Sequence, residues 1–437
     1  MRFTRTVATA LAVAGALSLA ACSGGSPTTS ASAGPSGSSG ANTGSLGAGT
    51  ASSGFSTALP PSDTSATINI WTYLTPEQSG WFKTGEDLLA KEFPNVKVNV
   101  TYVPYDQITA KLLGTAASGG GPDGVIFDPT QAIALEQAGV LGDMSPFWNE
   151  FSDASQFPDF AVWKDGDKVI SVQGYANTTG LFYNKDLLDS LGLQPPTTVS
   201  QLGDDLKQIH AAGKQGLAIS AVPTSESEFQ IMTWMFGEGQ NYGSFTQDKV
   251  ASVFSTLQGW VNAGYIPKDA VGWGATDALT AFSNGQYAFT QNGNWNIALM
   301  KKVPFNWGVV AMPAGSAGSH SVPGGEGACI GAKTKNAALV WEFFKDSMLT
   351  KASQIGILNE LGSIPVRKDA ASDPAISSDP VLSTFANIVA NSMARPNDPN
   401  TGTDEVTMGK IWNSVAGGVV TPDQGAQQVV SQLNNVG

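Results

Sequence analysis

The chain has 437 residues, with 23 lysines and arginines against 36 aspartates and glutamates and a formal net charge of −13. A chain of this length exceeds one ordinary hydrophobic core, so two domains are expected. The acidic balance argues against nucleic acid as a partner. Beyond the first five residues the only arginines are Arg367 and Arg395. Arginine is the side chain best suited to phosphate and carboxylate groups, so a polyanionic ligand is disfavoured, although lysines could serve.

The N-terminus has the features of an export signal. Arg2 and Arg5 precede an apolar run over residues 7–19, which is too short to span a bilayer. The sequence Leu-Ala-Ala-Cys at residues 19–22 is similar to a bacterial lipobox, in which the cysteine is acylated. Residues 1–21 are therefore predicted to be a lipoprotein signal peptide, and Cys22 is predicted to anchor the exported protein to the outer face of the cell membrane. An ordinary secretory cleavage site after Ala21 is the alternative.

Residues 22–66 are predicted to be a flexible tether between this anchor and a folded body. They consist mainly of Ser, Gly, Thr, Ala and Pro, and Asp63 is their only charged residue. Such a composition cannot form a core. Its root-mean-square reach is roughly 35–40 Å, which would keep the body near the membrane yet free to turn.

From residue 67 onward, strands alternate with helices. Runs rich in β-forming residues at 68–73, 96–102 and 125–127 are separated by predicted helices, the second over residues 105–118. Thr75-Pro76-Glu77 is expected to cap the first helix. The alternation is typical of an open parallel sheet, in which ligands bind beyond the carboxyl ends of the strands. Those ends fall at residues 73–78, 105–106 and 128–131.

The second half of the chain predicts another set of elements without an internal repeat. A hairpin is expected on Asp165-Gly166, and residues 174–188 are interpreted as the point where the chain leaves one lobe for another. Later crossings are expected near residues 311–315 and 367–371. Predicted helices cover residues 199–212, 229–237, 250–263, 275–284, 337–350, 382–393, 408–416 and 422–433, and predicted strands cover residues 217–221, 286–290 and 307–311.

The sequence lacks the common catalytic motifs GxSxG, HExxH and the Walker-type phosphate loop. His210 and His320 have no cysteine or histidine near them, so no metal site and no cofactor are predicted. Acidic stretches at residues 165–167 and 398–404 are similar to calcium loops without the EF-hand spacing, and calcium is left open. Cys329 stands in an apolar context and is predicted to be a small buried hydrophobe.

Aromatic residues and neutral hydrogen-bonding residues are present instead. Tyr73, Phe127 and Trp295 follow predicted strand ends, which makes them the rings best placed to face a ligand. Flat rings suit the C–H faces of a sugar, and Asp, Glu, Asn and Gln suit its hydroxyl rim. These residue types favour a sugar as the ligand.

Several short motifs, taken in order, resemble one protein family. They are Ile70-Trp71, Gly121-Pro122-Asp123, Ala138-Gly139-Val140-Leu141, Tyr183-Asn184-Lys185-Asp186, Pro196-Thr197-Thr198, Phe282-x-x-Gly285-x-x-Ala288, Gly293-x-Trp295 and Pro365-Val366. With this order and spacing, residue 67 to the end resembles extracellular solute-binding protein family 1, the carbohydrate receptors of ABC importers.

The resemblance implies an α/β fold of two lobes, each a mostly parallel sheet flanked by helices, joined by hinge strands. It implies residues 67–176 and 315–369 in the N-terminal lobe, and residues 177–314 and 370–437 in the C-terminal lobe. The expected protein is a monomeric receptor, not an enzyme. It would clamp a neutral sugar or oligosaccharide between its lobes and deliver it to the permease subunits of the importer.

The positions that match the family's ligand contacts lie in loops of both lobes and at the hinge. Glycine at residues 324 and 325 also permits close approach of backbone to a ligand. The predicted ligand-binding residues are Tyr73, Thr75, Gln78, Phe127, Asp128, Thr130, Gln131, Asn177, Glu228, Phe229, Trp295, Gly325, Glu326, Asp404 and Glu405.

Two other interpretations are kept. Glu226 and Glu228 could be the acid and the nucleophile of an exported glycoside hydrolase or another cleft enzyme. Alternatively, the same fold could bind a different solute, such as a polyol, an amino sugar, a glycerol phosphodiester or a peptide.

Overall fold

The computed structural model describes residues 54–435. The predicted signal peptide and Cys22 lie outside the described residues. The strands are β1 (Ala66–Thr72), β2 (Val96–Tyr102), β3 (Gly124–Phe127), β4 (Val162–Asp165), β5 (Lys168–Gln173), β6 (Tyr175–Ala176), β7 (Thr179–Asn184), β8 (Gln215–Ala218), β9 (Tyr287–Gly293), β10 (Trp307–Val310), β11 (Gly327–Ile330) and β12 (Ile364–Pro365).

Helices separate most of these strands. They are α1 (Phe82–Glu92), α2 (Tyr105–Ser118), α3 (Ala132–Gln137), α4 (Ser145–Glu150), α5 (Lys185–Leu191), α6 (Val199–Ala211), α7 (Ser225–Gly237), α8 (Gln247–Asn262), α9 (Ala275–Ser283), α10 (Ile297–Met300), α11 (Ala337–Phe344), α12 (Lys351–Leu361), α13 (Lys368–Ala371), α14 (Pro374–Ser378), α15 (Pro380–Ala390), α16 (Thr401–Ala416) and α17 (Pro422–Leu433).

The first sheet has six strands in the order β2-β1-β3-β11-β5-β4. Strand β1 pairs in parallel with β2 and β3, as the strand–helix alternation predicts. The β4–β5 hairpin turns at Gly166 and Asp167, one residue later than expected, and Gly166 has a φ of 59°, which confirms the predicted hairpin. Helices α1 and α11 cover one face of this sheet, and α2 and α3 cover the other.

The second sheet has four strands in the order β10-β7-β9-β8. Its core combines apolar residues of α6, α7 and α8 with those of α16 and α17 on one side, and residues of α9 and α15 on the other. The chain thus forms two α/β lobes, each built around its own sheet.

Each sheet is expected to be mostly parallel, and four of the six strands in the first sheet and three of the four in the second do run in one direction, but both sheets also contain antiparallel pairs. In the first sheet, β11 is antiparallel to both neighbours, and the β4–β5 hairpin is antiparallel by construction. In the second sheet only β8 and β9 pair in parallel. The physical reason is that the chain crosses between the lobes, and a strand that returns to a sheet after a crossing enters it from the end opposite to that of its neighbours. Such a strand is therefore antiparallel to them.

The segments that link the two sheets lie side by side. Strand β6 pairs with β12, and Asn177 forms an isolated antiparallel bridge with Gly324. The first connection lies between β5 and β7, the second between β10 and β11, and the third includes β12. These three connections run past one another where the lobes meet.

Two local predictions are corrected by the structure. Thr75-Pro76-Glu77 does not cap α1, because Gln78 bonds back to the backbone of Thr75 and residues 75–78 form a turn instead. The tether is also predicted to extend to residue 66. However, the ring of Phe55 packs against Phe147, with 6.3 Å between ring centroids, so Phe55 contacts the first lobe.

Cys329 lies in β11 and is fully buried, which confirms the prediction of a buried hydrophobe. Burial raises the pKa of its thiol to about 12. Within residues 54–435, no helix combines the length and the apolar character needed to cross a membrane.

The guanidinium of Arg367 holds the segment after β12 against the first lobe through hydrogen bonds and ion pairs. It is buried and donates to Asp153, to both carboxylate oxygens of Asp369 and to the carbonyl oxygen of Leu349, at 2.9–3.0 Å. Its planar fork satisfies several acceptors at once, which neither an apolar side chain nor lysine reproduces.

We expect Arg367→Met to destabilise the folded protein by about 2–4 kcal/mol, because a buried carbonyl and two carboxylates lose their partner. Thermal unfolding measures this change. The matched control is Lys368→Met, which removes the same charge from an exposed neighbour. Equal stability of the two variants would contradict the assigned role of Arg367.

Candidate functional site

A cavity of about 290 Å³ lies between the two lobes. Its walls come from loops after strands of both sheets, from the start of α7, and from the linking segments. The lining residues are Tyr73, Leu74, Gln78, Tyr105, Asp128, Tyr175, Asn177, Ser225, Glu226, Phe229, Gln230, Ala275, Thr276, Trp295, Gly324, Gly325, Glu326, Leu361, Ser363 and Arg395.

Aromatic rings from both lobes face this cavity. Tyr73 follows β1 and meets Tyr105 edge to face, with ring centroids 4.9 Å apart. In the second lobe, Phe229 of α7 and Trp295 lie 6.0 Å apart. The cavity therefore offers ring faces and edges from opposite sides.

The position of Trp295 depends on Gly293, two residues earlier. A Cβ atom at residue 293 would overlap the indole ring, so only glycine lets the ring fold back over the end of β9. The glycine of the Asn-Gly-x-Trp motif therefore leaves the space that the indole ring occupies.

Glu326 lies at the junction of the linking segments and the first lobe. Its carboxylate accepts hydrogen bonds from the hydroxyl of Tyr73 at 3.1 Å and from the amide of Asn177 at 3.3 Å. The side chain is 8% exposed. Burial raises the pKa of Glu326 to about 7, against the opposing effect of its tyrosine neighbours.

Asn177 joins three parts of the hinge region. Besides donating to Glu326, its Oδ1 accepts from Ser363 at 2.9 Å and from Asn294 at 3.2 Å. Gly325 next to it has a φ of 123° and approaches the backbone of Tyr175 so closely that a Cβ would overlap it. A side chain at residue 325 is therefore excluded by both strain and space.

Arg395 lines the cavity and belongs to a buried ion-pair cluster. Its guanidinium donates to Glu228 at 3.0 Å and also pairs with Glu405, and it stands 5.5 Å from the centre of the Phe229 ring. The hydroxyl of Tyr242 donates to Glu228 at 2.8 Å. Burial raises the pKa of Glu228 and of Glu405, although Arg395 acts in the opposite direction.

Hydrogen bonds join the two lobes at the edge of the cavity. The hydroxyls of Tyr105 and Ser225 lie 3.2 Å apart, and Thr130 donates to Glu405 at 3.2 Å. Tyr105 and Thr130 belong to the first lobe, whereas Ser225 and Glu405 lie on α7 and α16. The lobes are thus in direct contact around the cavity.

The structure brings about half of the predicted ligand contacts to the cavity. These are Tyr73, Gln78, Asp128, Asn177, Phe229, Trp295, Gly325 and Glu326.

The other predicted residues lie elsewhere. Phe127 is 1% exposed, and its ring packs in the core beneath the first sheet. Glu228, Glu405 and Thr130 are buried in the contacts around Arg395. The remaining residues outside the cavity lining are Thr75, Gln131 and Asp404.

Several lining residues were not predicted as contacts. Tyr105 comes three residues after the end of β2, and residues 105–106 are among the strand ends at which the sequence predicts ligand binding. Tyr175, Ser363 and Arg395 carry no such signal, because they reach the cavity only through the packing of the linking segments and the segment after α15.

Within the part of the chain that the structure describes, no group of three or more His, Cys, Asp or Glu side chains could hold a metal ion. The polar groups of the cavity are hydroxyls, amides and carboxylates on a frame of rings. This chemistry suits capture of an organic solute.

Two α/β lobes with a polar and aromatic cavity between them define a solute-binding protein of the two-lobed type. Residues 87–384 match the family model described as bacterial extracellular solute-binding protein. The chain belongs to this family, which confirms the resemblance seen in the sequence. Its members are extracellular binding proteins by description.

Two similar proteins are named for the sugars they bind. The maltotriose-binding protein of Pyrococcus abyssi is 22% identical over 373 residues, which cover 81% of this chain and 77% of that protein. The multiple sugar-binding protein of Streptococcus mutans is 27% identical over 288 residues, or 60% of this chain and 67% of that protein.

Solved structures share the fold at low identity. The GacH receptor of Streptomyces glaucescens, solved unliganded and with acarbose, gives a TM-score of 0.76 at 22% identity, covering 86% of this chain and 100% of that one. The maltose-bound MalE3 of T. maritima gives a TM-score of 0.76 at 17% identity, covering 84% and 99%. The two-lobed fold is therefore established.

The raised pKa of Glu326 predicts a pH dependence of stability. Its pKa in the unfolded chain is about 4.3–4.5, against about 7 in the folded protein. The folded state therefore holds the proton more tightly. This contribution, roughly 3 kcal/mol, is complete below about pH 4.5 and is lost as the pH rises through about 7.

We expect Glu326→Gln to remove this part of the pH dependence, so that its melting temperature falls less between pH 5 and pH 8 than that of the parent. Thermal unfolding across this range measures the difference. Glu92→Gln, at an exposed carboxylate, serves as the charge-matched control. Parallel curves for the parent and Glu326→Gln would show that residue 326 does not titrate in this range.

Proposed function

We propose that this protein is a sugar receptor of an ABC importer. It captures a sugar or oligosaccharide in the cavity between its lobes and delivers it to the membrane permease. The observation that carries the proposal is the composition of the cavity wall, which combines aromatic rings from both lobes with carboxylates and amides.

The rings account for the apolar part of recognition. Trp295 and Phe229 offer surfaces from the second lobe, and Tyr73 and Tyr105 offer surfaces from the first. Ring faces bury the C–H surfaces of a pyranose and exclude water. Asp128, Gln78 and Asn177 lie beside these rings and suit its hydroxyl groups.

We propose that the solute stabilises closure of the lobes. A ligand that contacts both walls binds the closed arrangement better than the open one, so it shifts the population toward closure. We assign residues 67–176 and 315–369 to the N-terminal lobe and residues 177–314 and 370–437 to the C-terminal lobe. A single chain then supplies both walls, in keeping with a monomeric receptor.

A glycoside hydrolase is less well supported. Glu228 is fully buried and does not line the cavity, and its two carboxylate oxygens accept from Tyr242 and Arg395. Glu226 lines the cavity but accepts from the backbone N–H of Ala275 at 3.0 Å. This pair therefore lacks the two accessible carboxylates that glycoside hydrolysis requires.

A thermal-shift screen of mono- and oligosaccharides tests the proposed function, because a ligand that binds only the folded state raises its apparent stability. We expect at least one sugar to raise the melting temperature and to be recovered intact after incubation. Conversion of that sugar at a catalytic rate would favour the enzyme instead, and a screen without any stabilising sugar would contradict the proposal.

We expect Trp295→Ala to weaken binding of that sugar by roughly 2–4 kcal/mol, the loss typical of a buried aromatic anchor. Titration calorimetry measures the change. Trp307→Ala is the matched control, since Trp307 packs on Phe182 away from the cavity. Unchanged affinity in Trp295→Ala would remove Trp295 from the binding site.

We also propose that an acyl group on Cys22 anchors the exported protein to the outer face of the cell membrane. Cys22→Ser is expected to release the protein from the membrane fraction without changing its affinity for sugar. Fractionation of cells that express the variant checks this expectation. Retention in the membrane pellet would reject lipid attachment at Cys22.

A further inference from the structure

The charged groups of the cavity are unbalanced. Asp128, Glu226 and Glu326 line it, and Arg395 is the only cation among the lining residues that the structure describes. The guanidinium of Arg395 already pairs with Glu228 and Glu405, which are themselves buried. Its single positive charge is thus matched by two buried carboxylates, and the three carboxylates that line the cavity are in excess of the one lining cation.

One buried polar atom in the wall also lacks a hydrogen-bond partner among the described residues. It is Oε1 of Gln230, a residue of α7 that lines the cavity and is 1% exposed. Buried polar atoms without partners are rare in folded proteins, and here the atom points to a ligand that supplies the missing donor.

Two acceptor atoms of the lining residues have no donor among the described residues. Asp128 uses Oδ1 to accept from the backbone N–H of Thr130, and its second oxygen accepts no hydrogen bond from the described residues. Gln230 presents an amide oxygen. A ligand that matches these atoms carries donors, whereas a uronic acid or a sugar phosphate would place negative charge against carboxylates.

The rings strengthen the preference for a cation. Tyr73, Tyr105, Phe229 and Trp295 surround the space next to the carboxylates. Aromatic faces attract cations, and pockets that combine such faces with acidic groups recognise ammonium ligands. A protonated amine is both a cation and a multiple donor, so it satisfies the carboxylates, the amide oxygen and the rings together.

We propose that the natural solute is an amino sugar, whose protonated amine binds against Asp128 and Glu326. The inference rests on the proposed function and narrows its substrate class. The sugar ring lies on the aromatic surfaces as for any carbohydrate. Because the cavity is acidic, it binds a sugar with a free amine more tightly than the same sugar with a hydroxyl at that carbon.

Matched sugars test this selection in the full-length chain. Each set differs only at C2, which carries an amine, an acetamide or a hydroxyl: glucosamine, N-acetylglucosamine and glucose, the three galactose analogues, and the corresponding disaccharides. Thermal shift identifies the binding members, and calorimetry measures their affinities. The amine member of at least one set is expected to bind ten-fold or more tightly than its hydroxyl partner.

The failures of the two proposals can be told apart. If the hydroxyl or acetamide member binds as tightly as the amine in every set that binds, the amino-sugar proposal is overturned and the sugar receptor stands. If no sugar of any kind binds, both fall. A panel in which only neutral sugars bind also overturns the amino-sugar proposal.

Asp128→Asn isolates the contribution of charge. Asparagine keeps the oxygen that accepts from Thr130, so the local turn is preserved, but the negative charge is removed. The variant is expected to lose ten-fold or more in affinity for the amino sugar and less than two-fold for its hydroxyl analogue. Glu92→Gln, which removes the same charge from an exposed site, is expected to change neither affinity.

An equal loss for the amine and hydroxyl sugars in Asp128→Asn would show that charge does not select the ligand, which contradicts the proposal. If Asp128→Asn does not fold, the same comparison is made with Glu326→Gln. This variant keeps a side-chain oxygen that can accept from Tyr73.

Discussion

Arg395 is 4% exposed and holds together segments that are far apart in the sequence. It pairs with Glu228 of α7 and Glu405 of α16, and Glu405 accepts in turn from Thr130 of the first lobe. A buried charge without a partner costs several kcal/mol, so these positions depend on one another. Because the guanidinium also faces the ring of Phe229, the same pairing positions an aromatic residue of the cavity.

This use of Arg395 also sets the character of the cavity. An arginine in a binding cleft usually serves an anionic ligand, but here two buried glutamates pair with Nη1 of the guanidinium. The carboxylates that line the cavity therefore outnumber its one cation. Asn177 connects this acidic wall to the linking segments, since it contacts Glu326, Asn294 and Ser363. A solute that contacts Glu326 therefore acts close to the hinge itself.

Much of the fold could be predicted because its signals are local. Three features depend only on neighbouring residues: the strand–helix alternation, the β4–β5 turn, and the apolar periodicity of α2 and α17. The direction of β11 could not be predicted in this way, since it follows from a crossing between lobes. In the site, Tyr73, Asp128 and Trp295 follow strand ends and line the cavity as predicted, whereas Phe127 lies in the core because helices bury both faces of β3.

The sequence by itself determined the class of the protein and the residue types of its site. The spacing of apolar residues and the turn residues indicate the helices and strands, and the ordered series of short motifs indicates the family. Only the tertiary structure decided which side chains meet. Tyr175, Gln230 and Arg395 reach one cavity from a linking segment, a helix and the segment after α15. The physical reason is that pairing and charge balance depend on distances across the fold, and sequence separation does not encode those distances.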